Sequence, residues 1–196
     1  MPYMQTAISV LIAGLTLSTA QAASHEHSSE GFRQHDAHVH GHVELNIAQD
    51  GNQLLMEITA PGADIVGFEH APKNEAQHQA MTQAQIQLKA AEQLFTLNTE
   101  AKCQLTKVNI EHSLKNANHK EDEHEHEHEH EHHDDSSHGE FTAYYDFQCQ
   151  SPDKLSMLKT QWFTAFPSTE HISVNSLTDR GQKSAQLNNS HSVFHF

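Results

Sequence analysis

CQLTKVNIEH at residues 103–112 and EFTAYYDFQC at residues 140–149 are runs of equal length, both strand-like, with a cysteine at the start of the first and the end of the second. Set antiparallel with Cys103 opposite Cys149, the two runs bring His112 opposite Glu140, so one register accounts for both ends. This predicts a hairpin clipped at its base by a Cys103–Cys149 disulfide, with residues 113–139 hanging from its open end. Closing a loop of that length contributes about 4 kcal/mol on the chain-entropy estimate. The hanging segment, SLKNANHKEDEHEHEHEHEHHDDSSHG, holds one leucine and no core-forming run. It cannot bury enough apolar surface to order itself and is expected to be a disordered His/Glu-rich insert.

Upstream of this hairpin, HVHGHVELNIA (residues 38–48) alternates Val39, Val43, Leu45 and Ile47 with polar neighbours, and QLLMEITA (residues 53–60) follows Asp50-Gly51-Asn52. Alternation on both sides of such a turn predicts a second hairpin. Asn74 stands where an N-cap belongs, with Gln77 three residues on, and Ala80, Met81, Ala84, Leu88, Ala91 and Phe95 continue as a helical stripe. Downstream, Ser151-Pro152 reads as the start of a second helix through Leu155, Leu158, Trp162 and Phe166, stopped by Pro167. Residues 171–177 and 184–196 read as a last pair of strands around Asp179-Arg180-Gly181. The order ββαβ, insert, βαββ predicts an α+β fold of antiparallel strands with two helices, one domain over residues 35–196.

Residues 6–20, TAISVLIAGLTLSTA, form an apolar run ahead of Ala20-Gln21-Ala22. This is the pattern of a signal peptide over residues 1–22, and the run is short for a membrane anchor. A polar, flexible tail is expected at 23–34. Export would deliver the two cysteines to an oxidising compartment, where pairing is favoured.

The chain of 196 residues carries 11 Lys and Arg against 26 Asp and Glu, a net charge of −15, and 20 His. Such a balance offers no electrostatic footprint for nucleic acid or for an anionic membrane surface, and it favours cations. The first histidine cluster is His35, His38, His40 and His42. On a strand, His38, His40 and His42 would share one face about 6.5–7 Å apart along the chain, within reach of one Zn²⁺ at about 2.0–2.1 Å from each nitrogen. Glu69 and His70 lie in a loop where a carboxylate and an imidazole could complete the coordination. His119, His124, His126, His128, His130, His132, His133 and His138 fill the insert, interleaved with acidic residues as interchangeable, weaker zinc sites. The scattered His78, His112, His171, His191 and His195 read as surface or satisfied core histidines.

The metalloprotease pattern H-E-x-x-H occurs in the insert in overlapping registers from His124, His126 and His128, and a repeat that matches in every register specifies none. No nucleophile elbow, P-loop or dinucleotide fingerprint occurs, so the expectation is binding rather than catalysis. Zinc is preferred to copper because no Met cluster or thiolate accompanies the imidazoles. A nickel or copper sequestering protein without a delivery role is the alternative reading.

HVHGHVELNIA, then APGADIVGFEHAP, then a Glu/His-rich insert between paired strands, resembles the ZrgA family of periplasmic zinc-uptake proteins. The resemblance spans about residues 35–196. Its most specific parts are His40-Gly41-His42 with Leu45-Asn46-Ile47, and Gly67-Phe68-Glu69-His70-Ala71-Pro72. It implies an accessory zinc-binding protein of the Gram-negative periplasm that supports uptake beside a zinc ABC transporter, whose solute-binding protein or membrane component would be the partner. It also raises Glu69 and His70 as ligand candidates.

Overall fold

In the computed structural model of this chain, residues 39–114 and 139–196 are described. The expected signal peptide and tail, His35, His38 and the insert histidines from His119 to His138 lie outside the described residues.

The first hairpin forms as its alternation dictates. Strand β1 (His42–Asp50) buries Val43, Leu45 and Ile47, and β2 (Gln53–Pro61) buries Leu54, Met56, Ile58 and Ala60. They pair from Asp50↔Gln53 to Glu44↔Thr59 across Gly51-Asn52. The cysteine-flanked runs are β4 (Cys103–His112) and β5 (Glu140–Cys149), joined by the Cys103–Cys149 disulfide with the two cysteines in register. The far end departs from expectation, for His112 faces Phe141 rather than Glu140. The ladder slips by one residue between Leu105 and Lys107, at Thr106, whose hydroxyl donates to the Asp146 carbonyl at 2.9 Å. A bulge of this kind absorbs one extra residue on one strand.

These strands join β7 (His171–Thr178) and β8 (Gly181–Leu187) in one six-stranded sheet of order β4-β5-β2-β1-β7-β8. The expected all-antiparallel arrangement is corrected at one place, because β1 and β7 run parallel, with His42 beside His171 and Ala48 beside Leu177. The chain returns to the start of β1 before entering β7, and the long intervening sequence supplies the crossover a parallel pair needs.

On the buried face of this sheet lie α1 (Gly62–Val66) and α2 (Glu75–Lys89). Asn74 caps α2 by accepting from Gln77 N at 3.0 Å, while Gln77 Oε1 reaches back to Lys73 N at 2.7 Å. The helix buries Met81, Ala84 and Leu88. Its stripe does not run unbroken to Phe95: α3 (Ala91–Leu94) follows separately, and Phe95 opens β3 (Phe95–Leu97). Tyr145 of β5 is fully buried, donates to the Leu88 carbonyl at 2.8 Å and so ties the end of α2 to the sheet. Burying each large apolar side chain of this kind contributes about 1.5–3 kcal/mol.

The second expected helix is not formed. A 3-10 turn (Pro152–Lys154), strand β6 (Met157–Thr160) and the one-turn helix α4 (Trp162–Ala165) occupy the stretch. Leu155, Leu158, Trp162 and Phe166 are all buried, a spacing that a strand followed by a turn satisfies as well as a helix does. Partners decide the matter. β6 pairs with both β3 and β9 (Val193–His195), and Thr160 Oγ1 both donates to the Leu94 carbonyl and accepts from Trp162 N. For the same reason the expected last strand divides at the Asn188–His191 turn, giving β8 to the large sheet and β9 to the small one. The result is a sheet-rich α+β domain with one long helix. Among the described residues no helix is long and apolar enough to cross a membrane.

Candidate functional site

His40 and Gly41 form a tight turn ahead of β1, so the strand starts at His42 rather than at residue 38, and His40 and His42 do not share one strand face. The cause is Gly41, whose φ of +80° lies in the left-handed region open to glycine. Its carbonyl accepts from both Glu170 N and His171 N, at 2.8 and 2.9 Å. A Cβ at this position would also stand 3.0 Å from Glu170 Cγ.

The turn sends neighbouring histidines to different partners. His40 Nε2 lies 2.9 Å from Glu69 Oε1. Two donors bound to one tetrahedral zinc at about 2.0–2.1 Å stand about 3.3 Å apart, so this pair needs to open only slightly to receive the ion. The imidazole is well exposed while the carboxylate is mostly buried, which leaves the pair accessible from the histidine side. His42 instead meets Ser173 Oγ at 3.0 Å. His70, the third candidate of the loop, places Nδ1 2.8 Å from the Ala71 carbonyl and stacks on Phe68. That contact selects the tautomer with its lone pair on Nε2, the form in which a metal-binding histidine is held.

Beneath the turn lies Asp64, 5% exposed. Its Oδ1 accepts from Gly41 N at 2.9 Å, and its Oδ2 accepts from Thr169 Oγ1, which in turn accepts from the buried Trp162 Nε1 at 3.1 Å. Burial pushes the Asp64 carboxyl above the ordinary aspartate range, opposed by its bonds to Gly41 and Thr169 and by the nearby His40. This relay anchors the His40 turn to the aromatic core. The sequence reading missed Asp64. Its signal was a lone acid inside the apolar run APGADIVGF, a position that a surface carboxylate does not need.

Glu69 is tied to the segment that carries the histidine run. Gly139 N donates to the Glu69 carbonyl at 3.1 Å and Gly62 N donates to the Gly139 carbonyl. Ser113 N donates to the Glu140 carbonyl, and Ser113 Oγ accepts from Glu140 N. A Cβ at Gly139 would lie 2.6 Å from Leu114 Cγ and 2.7 Å from the Glu69 carbonyl oxygen, so only glycine fits this foot. Segment 115–138 therefore leaves and rejoins the fold directly beside Glu69.

The structure thus brings His40 and Glu69 together, with His70 next in sequence and His42 turned to another partner. Among the described residues no three His, Cys, Asp or Glu side chains converge into a finished metal cage. No match was found among curated proteins. The sequence profile described as ZrgA family zinc uptake protein matches residues 37–196, nearly all of the domain. The chain belongs to the ZrgA family of zinc uptake proteins.

Proposed function

We propose that this protein is a non-catalytic zinc carrier of the Gram-negative periplasm. It captures Zn²⁺ at a site built on His40 and Glu69 and supports high-affinity uptake through a zinc ABC transporter. The observation that carries this reading is the hydrogen bond from Gly139 N to the Glu69 backbone carbonyl, because it fixes the end of the histidine-rich segment to the residue whose carboxylate meets His40. In this reading the segment histidines from His119 to His138 gather zinc at high local concentration, and His38, His40, Glu69 and His70 hold it more specifically. The solute-binding protein or the membrane component of the transporter is the partner that would receive it.

Growth of a deletion strain in zinc-poor and in metal-excess medium tests the role. A defect confined to zinc-poor medium and relieved by added zinc supports uptake. A defect confined to nickel or copper excess supports sequestration without delivery and overturns the proposal. Retention of the purified protein on the transporter's solute-binding component, with zinc passing between them, tests the partner.

A further inference from the structure

We propose that His42 and His171 form a second zinc site, made of two imidazoles on the open face of the six-stranded sheet and separate from the His40–Glu69 pair. The parallel pairing of β1 with β7 sets His42 and His171 in register. In-register residues of adjacent strands point to the same face with backbones about 4.8 Å apart, close enough for both rings to reach one ion. The next pair along this face is Glu44 beside Ser173.

Two observations single out this pair. Ser173 Oγ lies 3.0 Å from His42 Nε2. When that nitrogen donates to the hydroxyl, the His42 lone pair is left on Nδ1, the arrangement by which an outer hydrogen bond orients a metal-binding imidazole. His171 Nδ1 is buried and has no hydrogen-bond partner among the described residues. A buried nitrogen left unpaired is destabilising, and such exceptions in native structures call for a cause, an ion among them. A ring that keeps its proton on Nε2 carries a lone pair on Nδ1, and a cation shared with the neighbouring imidazole is the partner this lone pair lacks.

Two protein ligands leave the remaining coordination positions to water, with the Glu44 carboxylate the nearest acid on the same face of β1. Gly41 links the site to the first pair: its neighbours in sequence are His40 and His42, and its carbonyl holds His171 N. The inference takes only the identity of the ion from the zinc-uptake family and does not require the His40–Glu69 site to exist.

The test is long-range ¹H–¹⁵N imidazole spectroscopy of the full chain during titration with zinc sulfate, with resonances assigned through His42→Gln, His171→Gln and His40→Gln. The ring nitrogens of His42 and His171 should shift together at the same zinc ratio. His171→Gln should abolish the His42 response while leaving the His40 response in place. Asn175→Ala, further along the same face of β7 beside Asn46, keeps both imidazoles and Ser173 and should keep the joint response; its loss there as well would trace the effect to strand packing and overturn the proposal. A His42 response that persists in His171→Gln, or no response of either ring at zinc levels that saturate the protein, overturns it too. A silent His40 beside a responding pair would refute the first site and leave this one standing.

Discussion

Asp64 offers the sharpest test of how the fold holds its histidine turn. Asp64→Ala removes the acceptor of Gly41 N and of Thr169 Oγ1 in a place that water does not reach. Each buried donor left unpaired costs about 1–3 kcal/mol. Relief of burying a carboxylate offsets part of this, so the expected net loss is about 3 kcal/mol. Asp64→Asn keeps the shape and one acceptor for Gly41 and should lose about 1 kcal/mol, one ordinary hydrogen bond. Equilibrium urea unfolding of the zinc-free proteins reads both values as midpoint shifts at constant slope. The pH dependence carries a sign. Because burial raises the folded-state pKa of Asp64 above its unfolded value, its favourable contribution is fully present below the ordinary carboxyl range. It is lost as pH climbs through the raised value, and Asp64→Asn should therefore gain on the wild type across that acid window. Zinc affinity should fall in Asp64→Ala by about 10–100-fold, the usual effect of losing an outer support of a ligand. An Asp64→Ala protein within about 0.5 kcal/mol of wild type, the range of an inconsequential surface change, would refute the account of the turn.

Gly139→Ala forces a methyl group against Leu114 and the Glu69 carbonyl and should cost about 1–3 kcal/mol as overpacking; an unchanged melting temperature would contradict the tight foot. The double variant Cys103→Ser/Cys149→Ser should lose about 4 kcal/mol, read by denaturant midpoint against the disulfide-bonded protein, and a loss under about 1 kcal/mol would show that the clip adds little beyond the β4–β5 pairing. Zinc affinity should decline as pH drops below about 6.5, where free imidazole takes up a proton. Titrations at several pH values check this, and affinity independent of pH would exclude imidazole ligation.

Local signals in the chain were strong where one residue pattern had one structural solution. The Gly51-Asn52 turn, the Asn74 cap and the Cys103–Cys149 register are of this kind. Where the outcome depended on distant partners, the pattern misled. The buried residues from Leu155 to Phe166 fit a helix by spacing, but β3 and β9 offered open edges and drew Met157–Thr160 into a strand. Nothing local at Thr106 announces the bulge that turns His112 away from Glu140, because it is defined only by the partner strand. The candidate site was legible in part. Glu69 and His40 were both named from the chain. Asp64 stands in the same motif as Glu69 but shows its role only where α1 sets it under Gly41 N, while His171 reaches His42 from a segment far away in sequence. Gly41 was visible in the motif, but its left-handed backbone, which separates His40 from His42, emerges only in the folded turn.

The central claim is that His40 and Glu69 form the specific zinc site at the root of the histidine-rich segment. Calorimetric titration of zinc into the purified protein, beside the His40→Ala/Glu69→Gln variant, tests it most directly. The account predicts a tight step in the wild type that the variant loses while weaker binding of several further ions persists. A tight step of unchanged affinity and stoichiometry in the variant would contradict it and assign specific binding to other residues.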